Sequence, residues 1–212
     1  MLPSEGSAVV IVAHPDDETL WAGGIILANP QLEWYIVSLC RKEDPDRAPK
    51  FYKVLQELDA TGAMANLDDG PEQFPLPIKE VRDTIQNLLP EEHFDLILTH
   101  HPKGEYTRHR RHEETAQAVI NCWCHGSIQA TNLWTFAYED GHKKYYPQAM
   151  ENADILFALP EKIREKKYQL ITDIYGFDKN SWEAKVTPPV EAFCTFTDKG
   201  KALDWLQKNS II

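Results

Sequence analysis

Two short stretches collect the side chains able to bind a metal and move a proton. The first is His14-Pro15-Asp16-Asp17-Glu18, an imidazole and three carboxylates within five residues. The second runs from His100 through His101, Glu105, Tyr106 and Arg108 to His109, Arg110, Arg111 and His112. Imidazole and carboxylate together suit zinc or another divalent metal. A His-Pro-Asp-Asp turn is equally compatible with a plain helix cap, in which Asp16 or Asp17 accepts backbone N–H bonds. The second stretch favours the metal, because either His109 or His112 can complete a site with His14 and Asp17.

The elements around these stretches explain why they should meet. Val9 to Ala13 is an apolar run too short for a helix, so it reads as a buried strand. Pro15 fits the first turn of a helix from about Asp16 to Ala28, and the carboxylates crowd its N-terminus, where the helix dipole favours negative charge. The second stretch likewise follows an apolar strand, Phe94 to Thr99. It opens a helix whose apolar positions Ala116, Val119, Ile120 and Trp123 recur at helical spacing. If that helix has begun by Arg108, His109 and His112 share a face.

Between and beyond them the chain alternates. Strand Trp34 to Leu39 leads into a loop from Arg41 to Pro49, a helix from Lys50 ended near Gly62, and a short strand from Met64 to Leu67. Asp69-Gly70-Pro71 is a turn, and a helix marked by Val81, Ile85, Leu88 and Leu89 stops at Pro90. Later come strands Leu133 to Tyr138, Asp154 to Ala158 and Val190 to Phe193, a helix Glu161 to Tyr175, and a closing helix Ala202 to Lys208. Such alternation implies an α/β fold with a mainly parallel sheet covered on both faces. Both histidine stretches then lie beyond the carboxyl ends of strands, where ligands sit in such sheets.

Ala13-His14-Pro15-Asp16-Asp17-Glu18, followed by Gly23-Gly24 and later by a His-x-x-His pair after a strand, resembles the LmbE/PIG-L family of zinc-dependent N-deacetylases. The resemblance covers most of the chain and implies a Rossmann-like fold. It implies zinc held by His14, Asp17 and His112, with Asp16 as general base and His109 assisting the oxyanion and leaving group. Arg47 stands where the family often has a substrate-contacting arginine, and Leu67-Asp68 matches a recurring acidic position. The family commonly has His-Pro-Asp-His, whereas this chain has His109-Arg110-Arg111-His112. Any carboxylate that orients the pair must therefore come from elsewhere, with Glu113 and Glu105 the candidates. Tyr106 and Arg108 are further candidates for substrate contact.

Composition bounds the rest. A chain of 212 residues that is 42% apolar suits a single domain over residues 1–212. A formal charge of -11 argues against a nucleic-acid partner, though not against a small anionic ligand. No apolar run is long enough to cross a membrane, and the start of the chain has no basic region before Val9, so a cytoplasmic location is expected. A homo-oligomer is compatible with the sequence. Cys40, Cys122, Cys124 and Cys194 form no disulfide pattern and read as free thiols. Gly23-Gly24 falls inside a helix and reads as a close-packing position. Lys162, Arg164, Lys166 and Lys167 read as a solvated helix face. His100, His101 and His125 read as ordinary surface or loop residues, and Tyr106, Trp134, Tyr138 and Tyr145 as either core or the lining of a sugar pocket.

The expected activity is removal of an N-acetyl group from an amino sugar or its conjugate. Two alternatives stand beside it: a non-catalytic metal- or sugar-binding protein, and a metal-dependent hydrolase of another bond. Lys103, Arg108, Arg110 and Arg111 lie close together in an otherwise acidic chain. They read either as surface ion pairs with Glu105, Glu113 and Glu114 or as a grip on an anionic substrate.

Overall fold

The computed structural model describes residues 5–210. Met1 to Ser4, part of the start read above for a basic leader, lie outside the described residues. β1 (Gly6–Val12) sends alternate side chains into opposite cores. Val10 and Val12 join Leu20, Trp21 and Ile25 of α1 (Asp17–Ala28), while Val9 and Ile11 pack on the other face. A strand buried on both sides must be apolar throughout, which is why it shows no alternation in sequence. Then follow β2 (Leu32–Cys40), α2 (Arg47–Glu57), β3 (Thr61–Leu67), α3 (Ile78–Leu88), β4 (His93–Thr99), α4 (Arg110–Cys124) and β5 (Gln129–Phe136). A small hairpin pairs β6 (Tyr138–Glu139) with β7 (Gln148–Ala149). The chain ends with β8 (Ile155–Ala158), α5 (Glu161–Gln169), α6 (Trp182–Val186), β9 (Val190–Phe196) and α7 (Lys199–Asn209).

The main sheet has the order β3-β2-β1-β4-β5-β9-β8. It is parallel from β3 to β5, and β9 and β8 add antiparallel pairings at the far edge. This is the mainly parallel α/β arrangement that the alternation implied, and it agrees with the Rossmann-like fold that the resemblance implied. The decisive neighbours are β1 and β4, paired Val9 to Ile97 and Ile11 to Thr99. From their carboxyl ends the chain leaves toward opposite faces, since α1 belongs to one core and α4 to the other. A crevice opens where adjacent strands part company in this way, and both histidine stretches start at its lip.

Several expectations shift. α2 begins at Arg47, inside the segment read as a loop, because Pro49 occupies the first helical turn, where no backbone N–H has an intrahelical partner. It ends at Glu57, and Gly62 belongs to β3. A Cβ there would lie 2.0 Å from the Ile36 carbonyl oxygen, so that glycine allows close strand approach rather than stopping a helix. α4 starts at Arg110, and His109 flanks it in extended conformation instead of sharing its face. α5 continues through one wider turn, closed by the Tyr175 N–H donating to the Leu170 oxygen at 2.9 Å.

Lys167 is the main correction. Lys162 and Arg164 are exposed as expected, but Lys167 is fully buried and its Nζ lies 2.6 Å from Glu191 Oε1. The Glu191 carboxylate on β9 also accepts the backbone N–H groups of Gly24 at 2.6 Å and Ile25 at 2.7 Å. Periodicity could not show this, because the counter-charge comes from a strand 24 residues away. The close-packing reading holds for Gly24, where a Cβ would sit 2.3 Å from Leu159 Cδ2 and 2.8 Å from Glu191 Oε1, but not for Gly23, where the nearest atom would be Thr19 Cγ2 at an ordinary 3.4 Å. No helix among the described residues is long and apolar enough to cross a membrane.

Candidate metal centre and active site

The chain after β1 turns sharply through Ala13, His14 and Pro15 before α1. Asp16 takes φ 119°, a strained conformation for a residue with a side chain. Its N–H donates to Glu18 Oε2 at 3.0 Å, and Glu18 is itself held by Thr19 Oγ1 at 2.6 Å and the Tyr175 hydroxyl at 2.7 Å. Glu18, the third acid of the cluster, therefore braces the turn. The N–H of His14 donates to Asp17 Oδ2 at 2.9 Å, which brings that carboxylate back over the histidine.

Three donor atoms converge here. His14 Nδ1 is 3.1 Å from Asp17 Oδ2 and 3.2 Å from His112 Nε2, and His112 Nε2 is 3.3 Å from Asp17 Oδ2. Tetrahedral zinc with bonds of about 2.0–2.2 Å needs its ligand atoms about 3.3–3.6 Å apart, so this triangle is close to the right size. The other ring nitrogens face carboxylates: His14 Nε2 lies 3.1 Å from Asp69 Oδ1, and His112 Nδ1 lies 2.6 Å from Glu105 Oε2. An N–H on each of those nitrogens leaves the metal-facing lone pairs on His14 Nδ1 and His112 Nε2. Burial opposes a charge on Asp17, but His112 and His100 outweigh it and hold the carboxyl well below its usual range. One anionic oxygen and two imidazoles fit a divalent metal.

His100 and His109 also bring ring nitrogens into ligand range of these groups. His100 Nε2 is already used, accepting the Ala13 N–H at 3.0 Å, and its Nδ1 faces Glu105 at 2.9 Å. Burial lowers the His100 pKa, but Glu105 and Asp17 overcome it and push it up to about 9. Its Nε2 also lies 3.5 Å from Asp17 Oδ2. His101 is buried too, with its ring 5.0 Å from that of Trp205. Both were expected to be ordinary surface or loop histidines. His125 alone of the three is exposed.

His109 lies with its ring 4.5 Å from those of both His14 and His112, and its buried Nδ1 has no hydrogen-bond partner. Burial, then His112 and His14, push its pKa down to about 3. The ring is therefore neutral. Of the carboxylates expected to orient the pair, neither reaches His109: Glu105 holds His100 and His112, and Glu113 pairs with Arg108. A neutral imidazole still donates one N–H, so assistance at an acyl oxygen does not need a cation.

Asp16 stands beside the triangle. Burial and the adjacent Asp17 raise its pKa well above the ordinary value, against the pull of Arg47, whose Nη1 is 3.2 Å from Asp16 Oδ2. A carboxylate raised in this way suits a base working near neutrality. Arg47 also lies over the Phe177 ring at 4.3 Å. A small cavity of about 170 Å³ joins His14 and Asp17 to Asp16, Arg47, Tyr106, His109 and Trp182. Burial, Asp17 and Glu105 keep the Tyr106 hydroxyl protonated. Outside, a wider groove of about 840 Å³ shares Tyr106, Trp182 and Glu183 with the small cavity and carries Arg108, Lys144 and Tyr145.

The structure thus gathers His14, Asp16, Asp17, Arg47, Tyr106, His109 and His112 at one site. Arg108 lies outside the donor cavity, in the groove, with Nε 2.8 Å from Glu113 Oε1. Arg111 is buried, paired with Glu114 and donating to the Asp68 and Phe74 carbonyls. Trp134 and Tyr138 belong to the core. Sequence reasoning missed Asp69 on His14, having weighed Asp68 instead. A carboxylate leaving β3 at the same sheet edge was the available signal. Trp182 and Glu183 gave none, since α6 reaches the site from far along the chain.

Comparison with known proteins follows the same lines. The family model described as PIG-L, GlcNAc-PI de-N-acetylase, matches residues 9–123. Among solved structures, N,N'-diacetylchitobiose deacetylase from Pyrococcus horikoshii superposes with TM-score 0.68 at 15% identity, covering 94% of this chain and 85% of that one. The zinc-inhibited form of teicoplanin deacetylase Orf2 gives TM-score 0.64 at 12% identity, covering 91% and 98%. GalB, the 4-carboxy-2-hydroxymuconate hydratase from Pseudomonas putida KT2440, gives 0.60 at 14%, covering 91% and 96%. At these identities the structural likeness establishes the fold alone.

Proposed function

The chain belongs to the PIG-L family, and from that membership we propose that it is a metal-dependent deacetylase that hydrolyses the acetamide of an N-acetylated amino sugar or amino-sugar conjugate. The observation that carries this is the triangle of His14, Asp17 and His112 donors with Asp16 beside it. The fold by itself argues for no one reaction, since a hydratase shares it. A purely binding site has no use for a raised-pKa carboxylate next to its metal ligands.

His14, Asp17 and His112 would hold the metal, and a zinc ion bound there would supply a water acidic enough to lose its proton near pH 7 and a Lewis acid for the acyl oxygen. Asp16, steadied by Arg47, accepts the water proton at its carboxylate and returns it to the departing amine. The Tyr106 hydroxyl and the N–H of neutral His109 stand on the cavity wall as donors for the acyl oxygen. The small cavity suits the acetamido group and part of its ring, and the groove beyond Tyr106 and Trp182 suits the rest of a conjugate. With Arg108 and Arg111 engaged by glutamates, size rather than negative charge is the better-supported feature of the substrate.

Acetate release from N-acetylglucosamine and from larger N-acetylglucosamine conjugates tests the reading. Chelated protein is expected to be inactive and to recover with one equivalent of zinc, with kcat/KM higher for the conjugates. No acetate from any of them with zinc bound would remove the deacetylase assignment.

A further inference from the structure

Glu105 is the most heavily engaged carboxylate near the site, and it touches no proposed substrate position. It is fully buried in the loop between β4 and α4. Its Oε1 accepts the His101 N–H at 3.0 Å, and its Oε2 lies 2.9 Å from His100 Nδ1 and 2.6 Å from His112 Nδ1. An ionised carboxylate only accepts, so both ring nitrogens must carry hydrogens. His100 then turns Nε2 to the N–H of Ala13, the residue before His14. The His100 and His112 rings lie nearly parallel, 4.0 Å apart at 22°.

We infer that Glu105 is the positioning residue of the metal centre: it sets the tautomer and ring angle of His112 and, through His100, ties α4 to the end of β1. The inference rests on the metal reading of the site. It also accounts for the departure from the family pair, since Arg110 and Arg111 stand where a carboxylate is common. Glu113 does not fill the gap, because both its oxygens face Arg108. Asp69 does the equivalent work for His14 alone, at 3.1 Å from Nε2. Glu105 differs in binding two rings and a backbone amide at once, so its loss should loosen two of the three ligands relative to each other.

Glu105→Gln tests this with little change of shape. An amide cannot accept through both heads, so its NH2 must confront an N–H or force His112 to move its proton to Nε2, the metal-facing nitrogen. Competition with a chromophoric chelator should show zinc Kd raised by about 10–100-fold, the usual cost of removing a partner that orients a ligand. In unmutated, metal-free protein, at a pH high enough for the ring to carry a single proton, imidazole nitrogen NMR should place the His112 proton on Nδ1 and leave Nε2 bare. That measurement needs no variant and holds the inference to account even if Glu105→Gln does not fold. A folded Glu105→Gln that binds zinc as tightly as the original overturns the inference, as does a singly protonated His112 with its proton on Nε2. Failure of the unmutated protein to bind zinc would instead overturn the metal reading, whatever the tautomer.

Discussion

Asp16→Asn is expected to keep its metal and lose turnover by about two to four orders of magnitude, the usual range when general acid-base help is removed. Asparagine preserves the size of the side chain and can still accept from Arg47, so the cavity should survive. It cannot take up a proton near neutral pH. The substituted residue is not one of the three proposed ligands, so chemistry and metal binding should separate: kcat falls, while zinc content stays at the unmutated level. The strain at φ 119° does not confuse the result, because asparagine tolerates positive φ as readily as aspartate. Turnover near the original rate would reduce Asp16 to a turn residue and leave the reaction without its base.

Lys167→Met carries the largest expected effect on stability. Lys167 and Glu191 are both fully buried and lie 2.6 Å apart, so deleting the cation strands a carboxylate in the core. Breaking a buried pair from one side typically costs about 3–5 kcal/mol. For a chain of this length that corresponds to roughly 6–20 °C in the thermal midpoint. The Gly24 and Ile25 N–H groups still bind Glu191 and hold the loss toward the lower end. A midpoint unchanged in Lys167→Met would mean that the pair does little to hold α5 on α1.

The parts of the fold legible in the sequence were those written locally. The Val9 to Val12 run, the Ala116 to Trp123 periodicity and the strand before His100 each need only their own neighbours to be read. A parallel sheet brings its strand ends to one edge, which is why two separate histidine stretches could be expected to meet there. The illegible parts depend on partners far along the chain. His100 looked like a loop residue because its burial is matched by the Ala13 amide, 87 positions away. Lys167 looked solvated because the glutamate that balances it lies on β9. Asp69 could not be told from Asp68 without knowing which carboxylate turns toward His14 as β3 ends. The basic cluster divides in the same way: Arg108 pairs with Glu113 at the surface, whereas Arg111 is drawn inside by Glu114 and two carbonyls from the segment before α3.

The central claim is that His14, Asp17 and His112 form one metal centre, and elemental analysis of the purified protein with its variants tests it most directly. One zinc or other divalent ion per chain is predicted for the unmutated protein and for Asp16→Asn, with loss of stoichiometric metal in His112→Ala. A His112→Ala protein that folds and still carries one tightly bound metal would contradict the account and move the third ligand to His109.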